Sequence, residues 1–394
     1  MKLKAAKARK ALPVRSAIPR GGVLHGAALR WLALLGTGTC LALSGCGPVP
    51  HSLVPTRSGV EVSAPEWAAG VADSGDPEFG PPLPAGAVVE AAGAKPAAEV
   101  DTRQVEGSLR PDSATPAQRV PEVIARGHVI VGVDQSLNLI SYRDAVSGQL
   151  RGWEVDLARE IARDIFGDPD KVEFRFVQSA SQLSAVRDGD VDMVIRTMTI
   201  TRQRQQEVAF STPYLTTDTR MLVARGSGLE RPADLAGRTA CVAEQSTGLQ
   251  TLRRQSPGAR IIKTRSWADC LVALQQHHAE AIIADDPMLS GIAAQDQFTQ
   301  IVGPSLSVES YGVAMTRPED GGNPGLIRQV NATLERIRAD GTWWRLFKQW
   351  FSGYLSTPGP PPAHYRAEGD AAAEDAAADT ASRHDGPQEA PHER

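Results

Sequence analysis

The chain is long enough for one large or two medium-sized domains: it has 394 residues, of which 41% are hydrophobic and 22% charged. It contains 42 Lys and Arg residues against 46 Asp and Glu residues, and eight of the basic residues lie within residues 1–30. The remainder of the chain is therefore acidic, which excludes a broad basic surface of the kind that binds nucleic acid.

The beginning of the chain has the layout of a secretion signal. Residues 1–30 contain no acid, and residues 31–43 form an apolar run that is short for a membrane span. The run leads into Leu43-Ser44-Gly45-Cys46, which resembles a lipoprotein box with a diacylated cysteine. We therefore predict a signal peptide over residues 1–45 and a lipid anchor at Cys46 on the outer face of a membrane. A chance cysteine after an ordinary signal is the alternative.

The cysteines fit an exported protein. Cys40 would leave with the signal and Cys46 would carry lipid, so Cys241 and Cys270 remain. In an oxidising compartment two remaining cysteines most simply form a disulfide, although two separate buried thiols are the alternative. We expect no metal site, because two cysteines without a CxxC motif or a nearby histidine pair provide too few ligands.

Both flanks of the chain have the composition of disordered segments. Residues 46–121 are rich in Pro, Ala, Gly and Ser and lack helical or strand periodicity, which predicts a flexible linker. Residues 356–394 are rich in Pro, Ala and acids, which predicts a disordered acidic tail.

Between these flanks, strand and helix patterns alternate. The pattern predicts strands at 128–133, 171–178 and 191–195, with helices at 152–166 and 181–190 between them. The first strand is a nearly continuous apolar run, as in strands that are covered on both faces. This order indicates a mostly parallel sheet with helices on its faces.

A second α/β pattern follows the first. It predicts strands at 239–243 and 281–284, each followed by polar residues and a helix. Residues 323–351 form a long amphipathic pattern that is interrupted at Gly341, which predicts two helices. Two α/β lobes of roughly a hundred residues each fit this organisation.

Seven segments in this order resemble the extracellular solute-binding proteins of family 3, which deliver polar amino acids to ABC importers. They are "VIVGVD", "GQLRGWEVDLAREIA", "GDVDMVI" with "MTITRQRQQEVAFSTPY", "ADLAGRTACVAEQST", "AEAIIADD", "SYGVAM" and "DGTWWRLFKQWF". The resemblance covers about residues 128–355. Within the family, the chain is most similar to glutamate- and glutamine-binding lipoproteins of Gram-positive bacteria, which have the "RTMT" motif and paired cysteines in the second lobe.

The resemblance implies an α/β fold of the type II periplasmic-binding-protein class, in which two lobes close on a ligand about two crossing strands. The crossings are expected near residues 219–223 and 311–314. The first lobe would comprise residues 122–219 and 314–355, and the second would comprise residues 220–313.

An amino-acid receptor needs donors for a carboxylate opposite an acceptor for an ammonium group. An arginine donates two parallel N–H bonds to a carboxylate, and Arg204 follows Thr201, a candidate helix cap, so helix-start N–H groups would face the same anion. By resemblance, Arg204 matches the arginine that binds the α-carboxylate and Thr199 matches the hydroxyl residue beside it. Thr197 matches a position that meets the ammonium group through its backbone or side chain.

The resemblance also assigns residues from the second lobe. Ser246 and Thr247 occupy a turn whose hydroxyl and N–H groups donate to the carboxylate. Asp285 matches the acid that accepts the ammonium group, and its neighbour Asp286 is expected to be a helix cap.

Three further residues bear on ligand identity. Arg196 would be a buried cation beside the threonines, which is costly without a partner. A ligand side-chain carboxylate would be such a partner, so we expect glutamate or aspartate in preference to glutamine or asparagine. Asp134 is the alternative partner, and that pairing would suit an amide ligand. Trp153 occupies a family aromatic position that either lines the pocket or packs within the lobe.

We therefore expect a lipid-anchored, monomeric, extracytoplasmic binding protein that hands a small amino acid to an ABC permease. It would need no cofactor or metal and would not be an enzyme. One alternative is a sensor that reports amino acids to a membrane signalling partner. Another is a dehydratase-like enzyme, for which Glu244 is the candidate acid or base.

Overall fold

The structure is a computed structural model that describes residues 81–368. The signal peptide, Cys46 and the first part of the linker lie outside the described residues, as do residues 369–394 of the tail. Over residues 81–368, no helix has both the length and the apolar character needed to cross a membrane.

The strands and helices of the described residues follow the alternation seen in the sequence. The strands are β1 (Val88–Glu90), β2 (Val129–Val133), β3 (Ser136–Leu137), β4 (Ser141–Arg143), β5 (Leu150–Arg151), β6 (Val172–Phe176), β7 (Met193–Val194), β8 (Ala209–Phe210), β9 (Leu215–Ala224), β10 (Thr239–Ala243), β11 (Arg260–Thr264), β12 (Ala281–Asp285), β13 (Thr299–Tyr311) and β14 (Ala314–Met315). The helices are α1 (Pro116–Arg119), α2 (Pro121–Arg126), α3 (Trp153–Phe166), α4 (Gln182–Arg187), α5 (Arg202–Gln205), α6 (Thr247–Gln255), α7 (Trp267–Gln275), α8 (Asp286–Gln295), α9 (Pro324–Ala339) and α10 (Thr342–Phe351).

The first lobe is built on a five-stranded sheet in the order β6-β2-β7-β14-β8. Strand β2 is parallel to β6 and β7, whereas β14 is antiparallel to β7 and β8. Helix α3 packs against α9 and α10. The predicted break between the last two helices is confirmed at Gly341, which has a φ of +81° that glycine adopts without steric cost.

The second lobe is built on a six-stranded sheet in the order β1-β11-β10-β12-β9-β13. Its three central strands, β11, β10 and β12, are parallel. The predicted disulfide is present: Cys241 on β10 is bonded to Cys270 on α7, with 5.5 Å between their Cα atoms. It therefore joins the sheet to a helix on its face.

Strands β9 and β13 run antiparallel between the two lobes. From Leu215 to Asp218, β9 pairs with β13, and from Thr219 onward it also pairs with β12 of the second lobe. The first crossing therefore begins before the predicted residues 219–223, because those residues are already part of the second sheet. After β13, Gly312 N donates to Met198 O at 3.1 Å, and the chain continues into β14 of the first lobe.

The prediction of a disordered linker is wrong for residues 81–121. Strand β1 pairs antiparallel with β11 at the edge of the second sheet. Glu90 at its end is buried, with its carboxylate 2.6 Å from Arg253 and 3.1 Å from Lys263. Further along, Asp101 O accepts from Arg202 N at 2.9 Å. A few contacts of this kind hold the segment in place. Because they produce no helical or strand periodicity in the sequence, the pattern did not predict them.

The prediction of a disordered tail is likewise wrong for residues 356–368. Tyr365 pairs with Ser108 in an isolated parallel bridge, and its hydroxyl donates to Glu335 at 2.7 Å. The guanidinium of Arg110 lies 4.6 Å from the centre of the Tyr365 ring. The two flanks therefore hold each other against the first lobe.

Candidate functional site

Most of the residues predicted to bind a ligand line one small cavity between the lobes. Its volume is about 30 Å³, which holds only about two water molecules. The cavity is therefore too small for a free amino acid unless the lobes separate. The predicted residues that line it are Arg196, Thr197, Thr199, Arg204, Ser246, Thr247 and Asp285.

Arg204 is held at the start of the short helix α5. Thr201 caps this helix, because its Oγ1 accepts from Arg204 N at 3.1 Å. The guanidinium donates from Nη1 to Thr199 O at 2.8 Å and from Nη2 to Gln245 O of the second lobe at 3.2 Å. Burial lowers the pKa of Arg204. Because a guanidinium has five N–H donors, these two bonds leave others for an anion.

Helix α6 begins at the cavity on the side of the second lobe. Ser246 is its N-cap, and its hydroxyl accepts from Leu249 N at 3.2 Å and donates to Ala243 O at 2.7 Å. The Ser246 hydroxyl is therefore engaged within its own turn rather than directed at a ligand. The donors that this helix start offers to an anion are its first N–H groups and the side chain of Thr247.

Asp285 lies at the end of β12 and lines the same cavity as these donors. It is buried and accepts from Thr219 Oγ1 and from Tyr311 Oη, both at 2.6 Å. Burial and the negative charge of Glu309 raise the pKa of Asp285 to about 7. The expectation for Asp286 is wrong, because Asp285 occupies the N-cap position of α8 and Asp286 is the first helical residue.

Thr197 adopts a backbone conformation that is rare for a β-branched residue, with a φ of +43°. Its N–H donates to Glu154 Oε1 at 2.5 Å, and Tyr214 Oη donates to the same oxygen at 2.5 Å. Glu154 is fully buried, and burial raises its pKa to about 7. Sequence reasoning missed Glu154; the available signal was an acid on the otherwise apolar face of "GWEVDLA".

Arg196 and Asp134 form a buried ion pair. Arg196 Nη2 lies 2.5 Å from Asp134 Oδ2, and Arg196 Nε donates to Val177 O at 2.8 Å. The other Asp134 oxygen accepts from the N–H and the hydroxyl of Ser136, each at 2.7 Å. Arg196 thus has a partner within the protein, so its charge does not require a ligand carboxylate.

Trp153 packs within the first lobe, which is the second of the two alternatives for this position, and it does not line the cavity. Its side chain is 2% exposed. The ring packs 5.5 Å from both Trp343 and Phe351 and 6.2 Å from Phe347, measured between centroids. It is the first residue of α3 and packs against α10, the last helix of the described residues, so it belongs to the core of the first lobe.

Several cavity residues were not predicted as ligand residues. Their common signal is their position just after a strand, or one turn into the helix that follows, where α/β proteins place ligand contacts. Apart from glycine and alanine residues, those that line the cavity are Ser179, Gln182, Glu244, Gln245, Trp267 and Met288. Glu244 was proposed only as the acid or base of an enzyme.

The comparisons with known proteins agree with this geometry. The family model described as bacterial extracellular solute-binding proteins, family 3, matches residues 129–353. The matched region contains all strands of both sheets except β1 and leaves out the packed flanks.

Individual relatives match a similar share of the chain. The ABC transporter glutamine-binding protein GlnH of Bacillus subtilis (strain 168) is 30% identical over 56% of this chain and 80% of its own length. The glutamate-binding protein GluB of Corynebacterium glutamicum (strain ATCC 13032) is 29% identical over 57% of this chain and 79% of its own. Among solved structures, an ancestral arginine-binding protein bound to glutamine matches with a TM-score of 0.53 and 29% identity, over 57% of this chain and 98% of its own.

Proposed function

The chain belongs to the bacterial extracellular solute-binding proteins of family 3, and from this premise we propose that it captures a polar amino acid and delivers it to an ABC permease. The supporting observation is that one cavity combines carboxylate donors with an ammonium acceptor. Arg204 and the start of α6 provide the donors, and Asp285 provides the acceptor. Arg204 belongs to the first lobe, whereas α6 and Asp285 belong to the second. An amino acid that enters when the lobes separate would therefore be held by both lobes and would favour their closure around it.

We further propose that the ligand is an amide amino acid, with glutamine as the first candidate. The sequence favoured glutamate or aspartate because Arg196 needed an anion. The ion pair between Arg196 and Asp134 removes that need and supports the alternative. The glutamine-binding relative from Bacillus subtilis supports the same choice.

The proposed place of action is the outer face of the cell membrane. Cys46 would carry the lipid anchor after cleavage of residues 1–45, and the protein would act there as a monomer. The proposed lobes comprise residues 122–219 with 314–355 and residues 220–313. The role is binding rather than catalysis, and the ABC permease is the proposed partner. Labelling with a radioactive fatty acid in wild-type and Cys46→Ala cells tests the anchor.

A thermal-shift screen with the twenty amino acids tests the proposed ligand class. Binding to the folded state stabilises it by about 2.7 kcal/mol at a hundredfold excess over Kd, so the melting temperature rises. We expect the largest rise with glutamine, using the lipid-free chain of residues 47–394. If none of the twenty amino acids raises the melting temperature, the proposed function is wrong.

A further inference from the structure

A second buried carboxylate lies beside the proposed ammonium acceptor. Asp285 and Glu309 are 3% and 1% exposed. Thr219 Oγ1 lies between them, 2.6 Å from Asp285 Oδ1 and 3.4 Å from Glu309 Oε1. Ser307 Oγ donates to the same Glu309 oxygen at 2.7 Å, whereas Glu309 Oε2 is buried and has no hydrogen-bond partner within residues 81–368.

Neither nearby arginine forms a hydrogen bond or a salt bridge with the pair within residues 81–368, although the charge of Arg204 acts on both carboxylates. Arg204 donates to two backbone carbonyls, and Arg220 on β9 lies 3.9 Å from Asp286 on α8. Two buried carboxylates cannot both ionise without a large electrostatic cost unless a cation reaches them. The charged and titratable groups around the pair are Arg204, Tyr214, Asp218, Arg220, Asp286 and Tyr311.

We propose that Asp285, with Glu309 beside it, forms the ammonium subsite, that Asp285 carries a proton before ligand binds, and that it releases this proton when the ligand's α-ammonium enters. The ammonium keeps its own protons, and the proton released by Asp285 goes to the solvent. Glu309 is a positioning residue in this scheme, because it acts through Asp285. The inference depends on the proposed function, since it requires an amino acid in the cavity.

Proton release makes amino-acid affinity dependent on pH. The pKa of Asp285 is raised to about 7 by burial and by Glu309. Below that pH the ligand must displace the proton, so affinity decreases by up to about tenfold per pH unit. Above that pH, and below the pKa of the ligand's ammonium group, Asp285 is already ionised, so affinity changes little with pH. The same dependence applies to glutamine and glutamate, because both carry the α-ammonium group.

Calorimetry in two buffers of different ionisation enthalpy measures the released proton directly. We expect glutamine, or glutamate titrated in parallel, to release close to one proton at pH 6.0 and close to none at pH 8.5. Glu309→Gln should release less than half as much at pH 6.0, because Asp285 then ionises more readily. Glu230→Gln, an exposed acid of the same lobe, is the matched control and should behave as wild type.

The outcomes separate this inference from the proposed function. Binding without proton release at pH 6.0 overturns the proposed protonation of Asp285 but leaves the proposed function standing. This result comes from the wild-type protein, so it does not depend on whether a variant folds. Equal proton release by wild type and Glu309→Gln also overturns the role of Glu309. If neither amino acid binds at either pH and the thermal-shift screen is negative, the proposed function fails and the inference fails with it.

Discussion

Arg196 and Asp134, which are 62 residues apart in the sequence, meet in a buried ion pair of 2.5 Å at the ligand cavity. Without Asp134, the buried charge of Arg196 would require an acidic ligand as its partner. With Asp134, the two charges nearly balance within the protein. We therefore expect the preference between an amide and a carboxylate side chain to depend on Asp134.

Asp134→Asn should shift selectivity from glutamine toward glutamate. The substitution keeps a hydrogen-bond acceptor but removes the charge that neutralises Arg196, so a ligand carboxylate gains a charge-assisted bond. Such bonds contribute roughly 1.5 to 3 kcal/mol, so the ratio of the two Kd values should change by on the order of tenfold or more. Calorimetric titrations with both amino acids measure it. Asp188→Asn, an exposed position of the first lobe, is the control; an unchanged ratio in Asp134→Asn would count against the selectivity argument.

Loss of the disulfide should destabilise the protein. Closing the loop between Cys241 and Cys270, a sequence separation of 29, restricts the unfolded chain. The chain-entropy relation gives roughly 3 to 4 kcal/mol for such a loop. Urea unfolding of wild type and of the double variant Cys241→Ser, Cys270→Ser compares the two free energies of unfolding. Equal free energies in the two proteins would show that the bond contributes nothing to stability.

The regular elements of both lobes could be predicted because local pattern determines them. Strand β10 was predicted at its observed bounds, and Gly341 marked the helix break. Arg204 and Asp285, which resemblance to the family assigned to the site, both line the cavity. The partner of Arg196 could only be left open, because an ion pair between distant residues depends on how the strands are arranged. Strand β1 was missed because only three residues pair with a sheet that the rest of the chain builds.

The buried carboxylate of Glu90 should support stability at neutral pH but not in acid. Hydrogen bonds from Arg253, assisted by Lys263, lower the pKa of Glu90 below its usual value of 4.5. A lowered pKa in the folded state gives stability that is present above 4.5 and is lost as the pH falls through the folded pKa. The free-energy difference between wild type and Glu90→Gln should therefore be largest at pH 7 and shrink toward pH 3.

Urea titrations of both proteins from pH 3 to pH 7 measure this difference. Glu99→Gln, an exposed acid in the same packed segment, is the matched control and should show no such trend. A difference that stays constant with pH would contradict an ionised Glu90 in the folded protein.

Glu154 should have the opposite pH dependence. Burial raises its pKa from 4.5 to about 7, so the stability that it contributes is complete below 4.5 and is lost as the pH rises through about 7. Glu154→Gln cannot ionise at this position and so does not lose this stability. Its free energy of unfolding should therefore rise relative to that of wild type by up to about 3 kcal/mol between pH 4.5 and pH 8. Urea unfolding across this range measures the slope. Parallel curves for the two proteins would show that Glu154 does not titrate in this interval.

The most direct measurement compares two arginines of the same short helix. Arg204 lies at the cavity, whereas Arg202 is exposed on α5. Calorimetric titration with glutamine at pH 7.5 should show at least a hundredfold loss of affinity in Arg204→Ala, because the ligand carboxylate loses its charged donors. In Arg202→Ala the affinity should change by less than about threefold. Wild-type affinity in a folded Arg204→Ala protein would contradict the assignment of this cavity as the amino-acid site.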